Sequence, residues 1–565
     1  MFSGVQSSSN CIKRCCQRDN QGTMYYNPKD ISPLNPAASP PSASRRMSPK
    51  ARAKFFHDID TQGQQLTAVA GRISLTLNNL RKRRNTASPI HRLPQELLTI
   101  IFRLAARAGA HSDDIVAISH VCSLWREMAL SDARLWTTIH IPSHSKACEF
   151  LRRSKRRLVD VYIDNFSSDS DTYDFIAMLK TESCRIRSLT VHSFKTEAIM
   201  PMQSLLLMHV PQLEELTLCW EWGQHCFLGS NPFHGHTPKL RSLTLAQHSF
   251  NWTSSIFSNL TKLSLVGQLP IGHPHSLPSI RQFLRILQAC PDLQELKVEC
   301  ETASLEAPAV GSFEPFSRIS LEHLEVLQIM FLPPDWIGNI LARISIPSTA
   351  RVTVRMIGEE DWTSDCFDPL WTDSSLDFFP MLASIRRFEL YFDEKKGLVV
   401  HANNVASASI NEPPFTYGVS DMELRSALED AMLLFDLSDV SVLTLGSPHV
   451  AEEKRSYLSL LHSMPQLHTL RLVELSAEDL QAIFSLLTSS LSADAGPAEE
   501  EFLFPAMQHL EIVSSDMKRQ SLRKALQGYL RVRSRTLSPI KSVELIDANG
   551  WTEAEIHELG KLCAE

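Results

Sequence analysis

The sequence predicts an α/β protein in which a small N-terminal helical module precedes a long solenoid with a parallel sheet. One observation is that apolar residues recur with helical spacing between residues 61 and 136. Another is a short apolar pattern that recurs from residue 158 to the C-terminal region, with strand-like alternation at the end of each copy. We therefore expect helices first, and then repeated units of helix, turn and strand.

Composition limits the classes of function. The chain has 565 residues, of which 43% are hydrophobic and 21% charged, as is usual for globular proteins. A formal net charge of -7 disfavours nucleic acid as a partner, because phosphate binding needs a positive excess. The sequence offers neither a signal peptide nor an apolar stretch long enough for a membrane span, so we expect an intracellular protein, cytoplasmic or nuclear. Twelve cysteines without a recurring spacing predict reduced thiols.

Two segments precede the predicted module. Residues 1–55 are rich in Ser, Pro, Asn and Arg, a composition that predicts a disordered tail. Residues 61–84 place apolar side chains three or four positions apart and end in a basic cluster, Arg81–Arg84. This spacing predicts an amphipathic helix whose apolar face consists of Leu66, Val69, Ile73, Leu77 and Leu80.

The stretch 88–140 predicts three short helices. Pro94 suits the first turn of the first helix, where its missing N–H has no intrahelical partner to lose. A second apolar helix is expected over Ile115–Trp125, and a third apolar unit ends at Trp136. Three helices in so few residues bury little surface, so such a module gains stability from docking on a neighbour or a partner.

Two motifs in this stretch resemble the F-box. They are "LPQELLTIIFRLA" (93–105) and "ISHVCSLWREMALSDARLW" (118–136), and their lead-in is similar to that of the large fungal set of F-box proteins. The resemblance implies binding to a Skp-type adaptor and, through it, to a cullin ubiquitin ligase. Spacing does not decide which residues face the core and which face the adaptor. The implied adaptor-binding candidates are Leu93, Pro94, Leu97, Leu98, Ile101, Phe102, Val121, Cys122 and Trp125.

From residue 158 onward, an apolar residue is repeatedly followed by others three and five positions later. Several copies follow an amphipathic helix and a proline, as in the stretch 279–298. This arrangement resembles an irregular leucine-rich-repeat solenoid over 158–565, with a C-terminal capping helix at 551–563. The copies lie at 186–191, 213–218, 240–245, 260–265, 293–298, 324–329, 385–390, 440–445, 467–472, 507–512 and 540–545.

The outward positions of the predicted strands form the candidate substrate surface. Stacked repeat units place their strands side by side, so these positions share one face. Between the copies, "ARVTVRM" (350–356) is weakly strand-like and residues 395–418 are predicted to be loop. The substrate-binding candidates are Glu215, Thr217, Thr244, Lys262, Glu295, Lys297 and Arg471.

The sequence lacks the local motifs of common hydrolases, nucleotide-binding proteins and zinc proteases, so we predict no catalytic, cofactor or metal residues. The predicted function is a non-enzymatic substrate-recognition adaptor of a cullin-based, SCF-type ubiquitin ligase, with an unknown substrate protein. One alternative is a structural or protein-interaction repeat scaffold whose N-terminal helices only cap the solenoid. Another is an enzyme, which requires a cleft with converging titratable groups. The pairing of Leu93-Pro94 with Val121-Cys122-x-x-Trp125 favours the adaptor, because capping does not demand it.

Overall fold

The fold is taken from a computed structural model, which divides into two units, one ending at Pro94 and one beginning at Gln95. The structure describes residues 48–108, 113–140, 144–163, 170–193, 199–220, 226–227, 231–268, 277–300, 318–332, 334–357, 382, 385–393, 397–403, 415–420, 425, 428–429, 432, 435–446, 450, 452–488, 506–513, 520–534, 539–546, 557, 559 and 561–563.

In the described residues of the first unit, a long helix, α1 (Pro49–Thr86), is followed by a 3-10 helix at Pro89–Arg92. Ser48 caps α1, because its hydroxyl accepts a hydrogen bond from the backbone N–H of Ala51 at 3.4 Å, and Pro49 occupies the first turn. Residues 49–55 are therefore helical, which corrects the predicted boundary of the tail at residue 55. The remainder of that predicted tail, residues 1–47, lies outside the described residues.

The second unit begins with a small group of helices. The predicted helix over 115–125 is wrong in extent, because the chain turns at His120 and Val121 and a new helix begins at Ser123. Cys122 is extended, and its sulfur accepts a hydrogen bond from the backbone N–H of Trp125 at 3.5 Å, as an N-cap does. The helices are α2 (Gln95–Ala108), α3 (Asp113–Ser119) and α4 (Ser123–Ser131), with a 3-10 helix at Ala133–Trp136.

Most strands of the second unit join one large sheet. The strands are β1 (Thr138–His140), β2 (Val159–Ile163), β3 (Ile186–Ser193), β4 (Glu215–Trp220), β5 (Cys226–Phe227), β6 (Ser242–Ala246), β7 (His248–Ser249), β8 (Lys262–Gln268), β9 (Glu295–Cys300), β10 (Ile319–Ser320), β11 (Val326–Met330), β12 (Ile344–Ser345), β13 (Arg351–Ile357), β14 (Arg387–Asp393), β15 (Gly397–Asn403), β16 (Phe415–Ser420), β17 (Val442–Gly446), β18 (Thr469–Val473), β19 (His509–Val513) and β20 (Ser542–Ile546).

Within the described part of the chain, sixteen strands form this sheet in the order β1-β2-β3-β4-β6-β8-β9-β11-β13-β16-β15-β14-β17-β18-β19-β20. Neighbouring strands are parallel, except that β15 is antiparallel to both β14 and β16. The short strands pair separately, β5 with β7 and β10 with β12. The result is a large, mostly parallel sheet that follows the helical module.

Helices connect many of the successive strands. Right-handed crossovers between strands that advance in one direction place their helices on the same face of the sheet. Side chains along β9 alternate between buried and half-buried, so one face of this strand is covered and the other is partly open to solvent. One face of the sheet therefore forms the core and the other carries polar side chains. The connecting helices are α5 (His144–Arg153), α6 (Ser170–Glu182), α7 (Ile199–Leu206), α8 (Ile280–Gln288), α9 (Pro334–Leu341), α10 (Lys454–His462), α11 (Ala477–Thr488) and α12 (Gln520–Arg533).

All eleven segments that carry the repeated apolar pattern contain a strand of this sheet, as predicted. The prediction of loop over residues 395–418 is wrong, because β15 and the beginning of β16 lie there. The repeated apolar pattern does not predict β15, because this strand pairs antiparallel with both neighbours and is not a copy of the repeated unit. The predicted capping helix at 551–563 lies mostly outside the described residues.

Candidate functional site

Helix α2 carries two apolar faces, and one of them belongs to the core. Leu98 and Phe102 are each only 1% exposed. The ring of Phe102 lies 4.8 Å from the ring of Trp125 on α4, measured between centroids, so the two helices pack through aromatic contact. Both Leu98 and Phe102, two of the adaptor-binding candidates, are therefore core residues that hold the module together.

The other face of α2 is an exposed apolar stripe of Leu97, Ile100, Ile101 and Leu104, which we call the α2 stripe. Its residues are between 39% and 62% exposed and follow the spacing i, i+3, i+4 and i+7, so they lie on one side of the helix. Ile100 and Leu104 were not among the candidates, although their spacing from Leu97 is visible in the sequence. A contiguous apolar patch of this kind is typical of a protein-binding surface.

The remaining adaptor-binding candidates are divided between surface and interior. Val121, in the turn after α3, is 55% exposed. Cys122 and Trp125 are half-buried, and both contribute to the local structure of α4. Leu93 is half-buried and Pro94 exposed, and both belong to the first unit. The exposed candidates in the second unit are thus Leu97, Ile101 and Val121.

An ionic contact ties α2 to the end of the module. Asp132 accepts hydrogen bonds from Arg103 of α2 at 3.0 Å and from both the backbone and the side chain of Arg134. Partial burial raises the pKa of Asp132, but the hydrogen bonds from Arg134 and Arg103 outweigh it, and the pKa falls below its usual value. The carboxylate is therefore ionised at neutral pH and fixes the orientation of the exposed α2 stripe.

Trp136 anchors the module on the first connecting helix of the sheet. Its indole N–H donates a hydrogen bond to the carbonyl of Ala129 at 2.7 Å, and its ring packs edge-on against Phe150 of α5 at 4.9 Å. The guanidinium of Arg153 lies 4.2 Å from the centre of the same ring, a cation–π contact. The module therefore has a fixed position relative to the sheet that follows it.

The structure brings six of the seven substrate-binding candidates together on the polar face of the sheet. Glu215, Lys262 and Glu295 occupy one row across β4, β8 and β9, because the register aligns them. The row two residues further along contains Thr217, Thr244 and Lys297.

Lys262 pairs with Glu295 at 2.7 Å, so opposite charges partly neutralise each other in these rows. Arg471 lies apart, on β18, where it pairs with Glu511 at 3.3 Å. The two rows therefore present hydroxyl groups and individual positive and negative side chains to a ligand on this face.

A cleft of about 1730 Å³ lies where the module meets the first strands of the sheet. Its carboxylates are paired: Asp132 with the two arginines described above, and Asp160 with Arg187 at 2.6 Å. Lys155, Arg156 and Arg157 on its wall are exposed, and no carboxylate among the described residues pairs with them. This end of the polar face therefore has an excess of positive charge and can accept anionic groups.

A second polar cluster lies further along the sheet, around Glu389 of β14. Its carboxylate is 3.2 Å from Arg387 and 3.6 Å from His401, and it accepts a hydrogen bond from Tyr391 at 3.1 Å. Burial raises the pKa of Glu389, but the hydrogen bonds from His401 and Tyr391 and the charge of Arg387 outweigh it, so the pKa is lowered. Burial and Glu389 together raise the pKa of Tyr391 to about 12. Sequence reasoning missed His401 because it lies on β15, in the predicted loop.

Comparison with known proteins identifies the helical module. Residues 90–142 match the family model of the F-box-like domain, a range that includes α2, α3, α4, the second 3-10 helix and β1. No curated protein matches the chain. Of the helices that the structure describes, none combines the length and apolar character needed to cross a bilayer.

Proposed function

We propose that this protein is a substrate-recognition subunit of a cullin-based ubiquitin ligase. The F-box-like match at residues 90–142 supports the proposal, because such domains generally bind Skp-type adaptors of these ligases. The observation that carries it is the exposed α2 stripe, which lies inside the matched range and is not covered by the chain's own core. An adaptor that covers this stripe removes its apolar surface from water.

The proposal assigns different partners to different surfaces. The α2 stripe and Val121 contact the adaptor, while Leu98 and Phe102 support that surface from below. The polar face of the sheet, with the cleft beside the module, receives the substrate protein. Because Trp136 joins the module to α5, the substrate is held at a defined distance from the adaptor. In this proposal the chain is not an enzyme, and ubiquitin transfer belongs to its partners.

The test replaces two residues of the α2 stripe, in the double variant Leu97→Asp/Ile101→Asp. We expect the affinity for a purified Skp-type adaptor to fall by at least about tenfold, since charged groups would enter an apolar interface. Titration calorimetry measures this affinity, and the melting temperature shows whether the variant is folded. Met200→Asp is the matched control, because Met200 is an exposed apolar residue on α7, outside the matched range.

The affinity of the control is expected to equal that of the wild type. A folded double variant that binds the adaptor as well as the wild type does would contradict the proposal. It would favour the alternative of a protein-interaction scaffold without ligase association. Phe102→Ala is less informative, because removing a buried aromatic ring costs about 3–5 kcal/mol of stability. Affinity purification of the wild-type chain, followed by identification of bound proteins, would reveal the adaptor and the substrate together.

A further inference from the structure

Helix α1 exposes large apolar side chains along most of its length. None of its 38 residues, all of which the structure describes, is buried. It spans about 57 Å, and its apolar face lacks the tertiary packing from which protein helices gain most of their stability. Gly63 and Gly71 weaken it further, by about 1 kcal/mol each relative to alanine. The exposed residues are Phe55, Phe56, Ile59, Leu66, Val69, Ile73, Leu75, Leu77 and Leu80.

Most of these residues follow the heptad spacing of a coiled-coil seam, which we call the α1 seam. One series recurs at intervals of seven residues: Ile59, Leu66, Ile73 and Leu80. A second series lies three residues before each member of the first: Phe56, Gly63, Ala70 and Leu77. Alternating steps of three and four residues keep both series on one side of a helix that supercoils with a partner. Beyond each end of this seam the next positions are Arg52 and Arg84, so the apolar seam extends from Phe56 to Leu80.

We propose that α1 forms an antiparallel coiled coil with α1 of a second copy of this chain. The size of the seam residues carries this inference, since two positions of the second series are small. A parallel, in-register dimer would place Gly63 against Gly63 and Ala70 against Ala70. Two layers of the interface would then lack side-chain volume, and such voids are destabilising.

The antiparallel pairing removes both voids. It places Gly63 against Ile73 of the second copy and Ala70 against Leu66 of the second copy, so every small residue faces a large one. The flanking layers then pair Phe56 with Leu80 and Ile59 with Leu77, each taken from opposite copies. The seam is thus self-complementary, as a two-fold symmetric interface requires.

Charge supports the same orientation. Asp60 and Arg81 each directly follow a residue of the first series, so both flank the seam. In the antiparallel pair, Asp60 lies beside Arg81 of the second copy, and symmetry forms this contact twice. In the parallel pair, Asp60 lies beside Phe55 and Arg81 beside Thr76, so neither charge gains a partner. Complementary flanking charges select the orientation of coiled coils.

The test uses the full chain in sedimentation equilibrium over a range of concentrations. The wild type is expected to sediment as a dimer of 63.6 kDa chains. Leu66→Glu/Ile73→Glu is expected to raise the dissociation constant by at least about a hundredfold, because it places carboxylates in the seam. Leu75→Glu is the matched control, since Leu75 is equally exposed on α1 but lies opposite the seam, and it is expected to remain dimeric.

Orientation is tested by exchanging charges. Asp60→Arg and Arg81→Asp are each expected to weaken the dimer, and the double variant is expected to restore it, because the exchanged charges meet again only in the antiparallel pair. A wild type that is monomeric at every concentration would overturn the proposal, and so would a seam variant that still dimerises. A double variant that stays as weak as the single variants would overturn the antiparallel arrangement. None of these results depends on adaptor binding, so the inference stands or falls separately from the ligase function.

Discussion

Gly446 of β17 lies directly beneath the ring of Tyr391 on the neighbouring strand β14. A Cβ atom at Gly446 would approach Cδ1 of that ring to 2.5 Å, closer than real contacts allow. The absence of a side chain therefore permits the ring to cover the backbone while its hydroxyl donates a hydrogen bond to Glu389. A single residue thus determines how the polar cluster around Glu389 is built.

Gly446→Ala is expected to destabilise the protein by about 1–3 kcal/mol, because the Tyr391 ring must move and its hydrogen bond with Glu389 is strained. The midpoint of urea unfolding measures the effect. Gly528→Ala is the matched control, because Gly528 lies in α12 and a Cβ atom there would meet no other atom within 4 Å. Alanine there is expected to stabilise the helix by about 0.5–1 kcal/mol. Equal shifts of the two midpoints would contradict the close approach.

At the scale of elements, Asp132 joins α2 to the 3-10 helix at Ala133–Trp136. Its pKa is lowered in the folded protein, so its contribution to stability is present above the pKa of the unfolded chain, near 3.8. That contribution is lost as the pH falls through the lower pKa of the folded state. The ionic contact of Asp132 therefore contributes fully to stability at neutral pH and no longer does so in acid.

Asp132→Asn is expected to lower the free energy of unfolding at neutral pH by about 1.5–3 kcal/mol, the usual range for hydrogen bonds to a charged group. The difference from the wild type is expected to shrink as the pH falls below the pKa of the unfolded chain, near 3.8, and to vanish below the lower pKa of the folded state, where the wild-type carboxylate is protonated as well. Urea unfolding at several pH values measures both effects. The control is Asp174→Asn on the exposed surface of α6, which is expected to change the free energy of unfolding at neutral pH by less than about 0.5 kcal/mol. A difference that persists unchanged in acid would contradict the ionic role of Asp132.

The elements differ in how far the sequence reveals them. Strands of the repeated pattern are predictable, because alternating burial leaves a direct trace in residues such as Leu296 and Val298. The break between α3 and α4 is not predictable in this way, because cysteine is an unusual N-cap and Cys122 therefore does not indicate the start of a helix. Spacing alone also does not distinguish exposed Leu97 from buried Leu98, since a broad apolar face includes both. Their difference arises from tertiary packing, which buries the side of α2 that carries Leu98 and Phe102.

At the scale of the whole molecule, each strand of the large sheet pairs only with its immediate neighbours. The last connecting helices pack in the same sequential way, and the ring of Phe484 on α11 stacks near Tyr529 on α12 at 6.4 Å. Local damage is therefore expected to spread to adjacent elements and to weaken with distance. Stability would then be distributed along the sheet in segments, as in other proteins with nearest-neighbour packing.

A chain truncated after Thr488 tests this expectation. It lacks β19, α12 and β20, so β18 becomes an edge strand and the buried side of α11, including Ile483 and Phe484, is uncovered. Hydrogen exchange followed by mass spectrometry is expected to show lost protection in β17, β18 and α11, and unchanged protection in β2, β3 and β4. The full chain is the reference. Protection lost evenly across all strands would instead indicate that the sheet unfolds as one cooperative body.

The reversed strand β15 has a consequence for assembly. On either side of it, the strands of the large sheet follow their order in sequence, and only the short strands of the two small sheets are passed over, as where Leu216 of β4 pairs with Leu243 of β6. Around β15, the sheet is continuous only when β13 pairs with β16, as Val352 does with Phe415, and β14 pairs with β17, as Leu390 does with Leu445. Strand pairs that close long loops form slowly. The parallel strands on each side of β15 are therefore expected to pair first, and the pairs that β14, β15 and β16 make are expected to form last. The three strands β14, β15 and β16 therefore depend on one another for their place in the sheet, and loss of any one of them would interrupt it.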